Sequence, residues 1–103
     1  MIIIYSKNKI PIRLTQERWA HITRRHPELQ NQKSKVEETI SNPEFIQEGD
    51  YGELLAIRFY SHTLFGPKYL IVAYKEVADQ DGFVLTAYFT NLFSKRRHLI
   101  WKS

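Results

Sequence analysis

Residues 53–90, ELLAIRFYSHTLFGPKYLIVAYKEVADQDGFVLTAYFT, decide the fold. Three runs within them, Glu53–Tyr60, Lys68–Lys75 and Phe83–Thr90, are rich in β-branched and aromatic residues. Gly66-Pro67 separates the first pair and Glu76–Gly82 the second. Apolar runs of this length, punctuated by turn residues, read as strands of an antiparallel meander. His98–Trp101 offers one more strand after them.

Upstream of the meander the period changes from strand to helix. Thr15 is placed as the N-cap of a first helix, with Glu17 in the first turn, where the helix dipole favours an acid. Leu14 and Trp19 have the spacing of a hydrophobic staple, and Trp19 with Ile22 defines the inward stripe. Pro27 disfavours helical angles at His26, so the helix stops near Arg25 or His26. A second helix is expected from Ser34, with Glu37 completing a capping box, Val36 and Ile40 as anchors, and Asn42-Pro43 as its end. Met1–Tyr5 reads as a strand, Ser6–Lys9 as a turn, and Ile10-Pro11-Ile12 as an edge extension that tolerates proline. The order is that of an α+β protein: an N-terminal strand and two helices packed on a curved antiparallel sheet of about four strands.

With 103 residues, the chain makes one domain spanning 1–103. Its composition is 43% hydrophobic and 25% charged, which excludes a disordered or collagen-like chain. The absence of cysteine excludes disulfides, thiolate metal sites and a cysteine nucleophile. No run approaches the ~18 apolar residues of a membrane span, and Met1–Tyr5 is too short for a signal segment. The expectation is a cytoplasmic protein with no membrane partner. Net charge is +4 and unevenly spread: residues 1–30 and 67–103 are basic, and residues 31–66 are acidic. Two basic ends favour a polyanionic partner.

Strand alternation sorts the side chains of Phe83–Thr90. Phe83, Leu85, Ala87 and Phe89 share one face; Val84, Thr86, Tyr88 and Thr90 share the other. The three hydroxyls of that second face either meet solvent or line a polar groove. Arg58, on the Leu54-Ala56-Tyr60 face, either snorkels to the rim or holds an anion. The first helix carries the densest cluster, Arg18, His21, Arg24, Arg25 and His26. Arg18, His21 and Arg25 form one polar stripe, whereas His26 projects near the buried stripe. His26 is open to two readings, a backbone-bonded histidine or a reactive one, and His21 likewise to a solvated or a reactive one.

Metal chemistry fits poorly. His21 and His26 diverge by about 140° on a straight helix, the His-Glu-x-x-His pattern is absent, and carboxylates are not clustered as two-metal catalysis requires. The four glycines are isolated, so there is no phosphate loop. Histidine, arginine, lysine, threonine and tyrosine remain, and they suit RNA cleavage without metal or cofactor.

The segment Leu14-Thr15-Gln16-Glu17-Arg18-Trp19-Ala20-His21-Ile22, closed by Arg25-His26-Pro27-Glu28, resembles the opening helix of the barnase–EndoU–colicin D–RelE-like nuclease superfamily. Ser41-Asn42-Pro43-Glu44-Phe45-Ile46 resembles the family's exit from the second helix, and Leu85–Thr90 its late strand before a basic tail. The resemblance implies a metal-independent endoribonuclease that uses the ribose 2′-hydroxyl and leaves a 2′,3′-cyclic phosphate. It also implies a toxin of a toxin–antitoxin or phage-related system. His21, His26, Thr86 and Tyr88 are the expected catalytic set. Arg25, Arg58, Tyr60, Lys68, Arg96 and Arg97 are expected to bind phosphate. The expected partners are RNA, whether tRNA or mRNA, and an antitoxin or immunity protein; no cofactor is expected. The alternative is a non-catalytic RNA-binding or protein-interaction module on the same scaffold.

Overall fold

Lys9 adopts a left-handed φ of 67° and donates its N–H to Ser6 O at 2.9 Å, which folds the N-terminus back on itself. The resulting hairpin joins β1 (Ile2–Tyr5) to β2 (Pro11–Leu14). A computed structural model describes all residues, 1–103. Thr15 caps α1 (Gln16–Arg25), its Oγ1 accepting the Arg18 N–H at 3.0 Å. The helix ends at His26, and Pro27–Leu29 forms one turn of 3₁₀ helix. Next comes α2 (Lys33–Ser41), which starts one residue earlier than expected. Its N-cap is Gln32 and it has no side-chain cap, so the Ser34–Glu37 box does not form. The turn at Asn31 (φ 64°) delivers the chain into the helix before Ser34 is reached.

Five strands complete the sheet: β3 (Phe45–Glu48), β4 (Leu54–Tyr60), β5 (Lys68–Ala78), β6 (Asp81–Thr90) and β7 (Leu99–Lys102). The architecture is α+β, but the sheet has seven strands rather than about four, in the order β1-β2-β6-β5-β4-β3-β7. It is mixed rather than antiparallel throughout, because β2 runs parallel to β6. Proline does not place β2 at an edge either. Pro11 is the first residue of that strand, where a missing N–H is tolerated. The expected separator Glu76–Gly82 is mostly strand, and β5 and β6 form one long hairpin closed at Asp79-Gln80.

Both helices cover one face of the sheet. Ile22, Leu29, Val36 and Ile40 pack there against Ala56, Leu70, Val72, Tyr74, Val84 and Ala87. Burial of each valine, leucine or isoleucine among them contributes roughly 1.5–3 kcal/mol. The opposite face carries a smaller cluster of Leu55, Ile57, Ile71 and Ala73, with Phe45, Tyr69, Tyr88 and Phe93 around it. The segment after β6 crosses this face. Phe93 meets Tyr69 and Phe45 at centroid distances of 4.9 and 5.3 Å, and Ser94 O accepts from Gln47 Nε2 at 2.8 Å. No helix is long and apolar enough to cross a membrane.

Two details of β6 shape the site. Ala73 pairs with Thr86 and Tyr74 with Val84, so Leu85 is an extra residue, a β-bulge. The bulge breaks the expected alternation. Val84 turns into the helix-side core with Ala87, while Thr86 and Tyr88 stay on the opposite face. In addition, β2 pairs with β6 only at Gly82 and Phe83. Beyond them the outer edge of β6 has no strand partner, and α1 packs beside it.

Tyr74 is fully buried, and its phenol oxygen has no hydrogen-bond partner. Burial pushes its pKa upward, so it remains a neutral phenol. A buried polar atom without a partner costs about 1–3 kcal/mol. Tyr74→Phe is therefore expected to stabilise the fold by about 1 kcal/mol, seen as a higher urea midpoint at unchanged slope. A lower midpoint would show that the hydroxyl is solvated by bound water.

Candidate active site

The helix cap and the strand bulge together position the candidate residues. His21 lies on α1, and His26 lies just beyond it with φ −131° and ψ 75°. That non-helical backbone removes the constraint of a straight helix, where the two side chains would point about 140° apart. His21, Arg25, His26, Thr86 and Tyr88 line one open cleft of about 470 Å³. The His26 and Tyr88 rings lie 5.8 Å apart and are tilted by 33°. On β6, Thr86 stands opposite Ala73 and Tyr88 opposite Ile71, and both side chains are half-buried. Glu28, from the 3₁₀ turn, places a carboxylate oxygen 3.7 Å from His26 Nδ1. The contact is longer than a hydrogen bond, so it places a negative charge beside the imidazole without fixing its tautomer. Glu28 was absent from the expected site. The Arg-His-Pro-Glu sequence held the signal, since Pro27 starts the turn that carries Glu28 back toward His26.

The cleft thus holds two imidazoles, one guanidinium and two hydroxyls from elements about sixty positions apart. Groups of these types can exchange protons and stabilise an anion. No three metal-ligating side chains gather in the chain.

The other expected phosphate-binding residues stand elsewhere. Arg58 is on the helix side of β4, donating to Asn42 O at 2.9 Å, with Nε 3.5 Å from Glu38 Oε1. The second contact is an ion pair without hydrogen-bond geometry. Tyr60 donates to Glu38 Oε1 at 2.7 Å; burial raises its pKa, so it stays a neutral donor. Both residues tie β4 to α2. Lys68 bonds Asn91 Oδ1. Arg96 and Arg97 line a separate cleft with Asp50 and His98. Arg97 binds Asp50 at 2.7 Å, and this hydrogen bond holds the Asp50 carboxyl below the usual carboxylate range. Of the ten expected site residues, five share the cleft and five do not. No protein-family model matches the chain, and neither does any curated protein or any solved structure.

Proposed function

We propose that the cleft between α1 and β6 cleaves RNA without a metal, by attack of a ribose 2′-hydroxyl on the adjacent phosphate. The observation that carries this reading is the convergence of His21, Arg25 and His26 with Thr86 and Tyr88 around one cleft. Nothing local in the sequence requires those two groups to meet. The nuclease resemblance of the α1 motif supports the same reading.

One neutral imidazole takes the proton from the 2′-hydroxyl, and the 2′-oxygen bonds to phosphorus. The bond from phosphorus to the 5′-oxygen breaks, and the second imidazole, protonated, gives its proton to that oxygen. Arg25 offsets the charge that builds on the non-bridging oxygens. The Thr86 and Tyr88 hydroxyls hold the phosphate in line. The products are a 2′,3′-cyclic phosphate and a 5′-hydroxyl, and the nucleophile comes from the substrate. By the same resemblance the protein is a toxin-type ribonuclease acting in the cytoplasm, with an antitoxin or immunity protein as its partner.

Cleavage of total RNA is expected to persist in excess EDTA, with cyclic-phosphate and 5′-hydroxyl ends. A single 2′-deoxy substitution at the scissile nucleotide is expected to abolish it. Activity that vanishes in EDTA and returns with magnesium would overturn the mechanism, as would cleavage of DNA at a comparable rate.

A further inference from the structure

The cleft does not end at His21. A second cleft, of about 250 Å³, is lined by Thr15, Glu17, Arg18, His21 and Arg24, so the two meet at His21. A third, of about 240 Å³, is lined by Arg13, Thr15, Arg18, Phe83 and Val84, and it meets the second at Thr15 and Arg18. The three adjoin in one groove that follows α1 for about 15 Å; β6 lines its two ends, with Thr86 and Tyr88 at one and Phe83 and Val84 at the other, and the middle is lined by α1 and Thr15 alone. The acids facing this groove are Glu17, Glu28 beside His26, and Asp81, which binds Arg13 at 2.9 Å. Arg18, Arg24 and Arg25 have no carboxylate partner. Arg18 reaches only the Leu85 carbonyl, at 3.4 Å. Guanidiniums without carboxylate partners, two of them in one cleft and the third in the cleft that adjoins it, are the footprint a polyanion takes. Phe83 at one end carries the Arg13 guanidinium over its ring at 5.9 Å, and Tyr88 at the other lies against His26.

We propose that this groove holds the backbone of a single-stranded RNA flank, so that the protein takes its substrate as an unpaired strand extending from the scissile phosphate along α1. The proposal rests on the ribonuclease reading of the cleft, and binding to an uncleavable strand separates the two. The probe is a fluorescein-labelled 12-nucleotide RNA with 2′-O-methyl groups throughout, measured by anisotropy from 50 to 200 mM salt. Arg18→Gln/Arg24→Gln alters neither the imidazoles nor Arg25, and both side chains are exposed, so thermal unfolding is expected to be unchanged. Each lost phosphate contact removes ~0.7 from the slope of log affinity against log salt for single strands. The double variant should lose about 1.4 in slope, and its deficit relative to the parent should shrink about sevenfold across that salt range. On cleavable RNA its KM should rise with kcat held. An unchanged slope overturns the proposal, as does equal or tighter arginine-dependent binding of the same sequence as a duplex. If the groove binds as expected while the histidine variants keep full cleavage, the groove stands and the catalytic reading fails.

Discussion

His21→Ala and His26→Ala are each expected to lower RNA cleavage about 10²–10⁴-fold, the usual share of general acid–base catalysis. The two need not be equal, because the step that loses its proton carrier depends on which imidazole accepts and which donates. Acting as a pair, they give a bell-shaped dependence of kcat/KM on pH, and each variant should erase one limb. Stability separates catalysis from scaffolding. The His21 side chain is half-buried on the surface of α1 and makes no hydrogen bond within the protein, so its loss should change unfolding by less than about 0.5 kcal/mol. His26 carries more structural weight, since its ring lies against Tyr88 and near Glu28, and its backbone N–H closes α1 on Ile22 O at 2.8 Å. That last bond is made by the main chain and survives truncation of the side chain. Thr86→Val and Tyr88→Phe remove hydroxyls at constant shape, and each should cost cleavage less than either histidine. If both histidine variants cleave within a few-fold of the parent, α1 is scaffold and the site is misassigned. If activity falls only in step with folded protein, the histidines are structural.

What the sequence revealed of this arrangement follows from how local each cause is. The limits of α1 were legible because Thr15, the Leu14–Trp19 pair and Pro27 act within a few residues. The Thr86–Tyr88 face was legible because strand alternation survives on one side of the bulge. The bulge itself was not, since nothing in Val84-Leu85-Thr86 distinguishes an extra residue from a paired one. β3 was missed for a similar reason. Four residues following Asn42-Pro43 carry little strand signal, and Gln47 looks like a surface residue. Its burial depends on β4, whose paired residue Leu55 is eight positions on, and on β7 and the Ser94 carbonyl, both distant in the chain. Arg58 and Tyr60 show the converse. Arginine and tyrosine on an apolar strand suggest a ligand, yet Glu38 of α2 takes both. Charge type was visible in the sequence; the intramolecular partner was supplied by tertiary packing.

Gly82→Ala is expected to destabilise the fold by about 1–3 kcal/mol, the usual effect of overpacking a filled site, and a β-branched residue there should cost more. A Cβ at this position would lie 2.4 Å from the Lys75 carbonyl oxygen and 2.5 Å from Ile12 Cδ1. The first neighbour is backbone held in the β5–β6 ladder, and the second belongs to a fully buried side chain, so neither yields freely. Gly82 is one of only two β6 residues that pair with β2. Relieving the clash therefore pushes β2 away from β6, and β2 leads through Leu14 and Thr15 directly into α1. A shift of α1 along β6 would separate His21 and His26 from Thr86 and Tyr88 without touching any of the four. Small misplacements of a catalytic group cost about 10²-fold in rate. Gly82→Ala should thus lower the urea midpoint and also lower cleavage per folded molecule, measured well below the transition. Tyr74→Phe serves as the comparison, since it alters the core while leaving the β2–β6 contact intact. A Gly82→Ala protein that is destabilised but cleaves at the parental rate per folded molecule would show that α1 is held on β6 by its own packing, with β2 contributing stability alone. An unchanged midpoint would mean that the hairpin relaxes around the added methyl, and that the close approach of β2 to β6 does not set the geometry of the cleft.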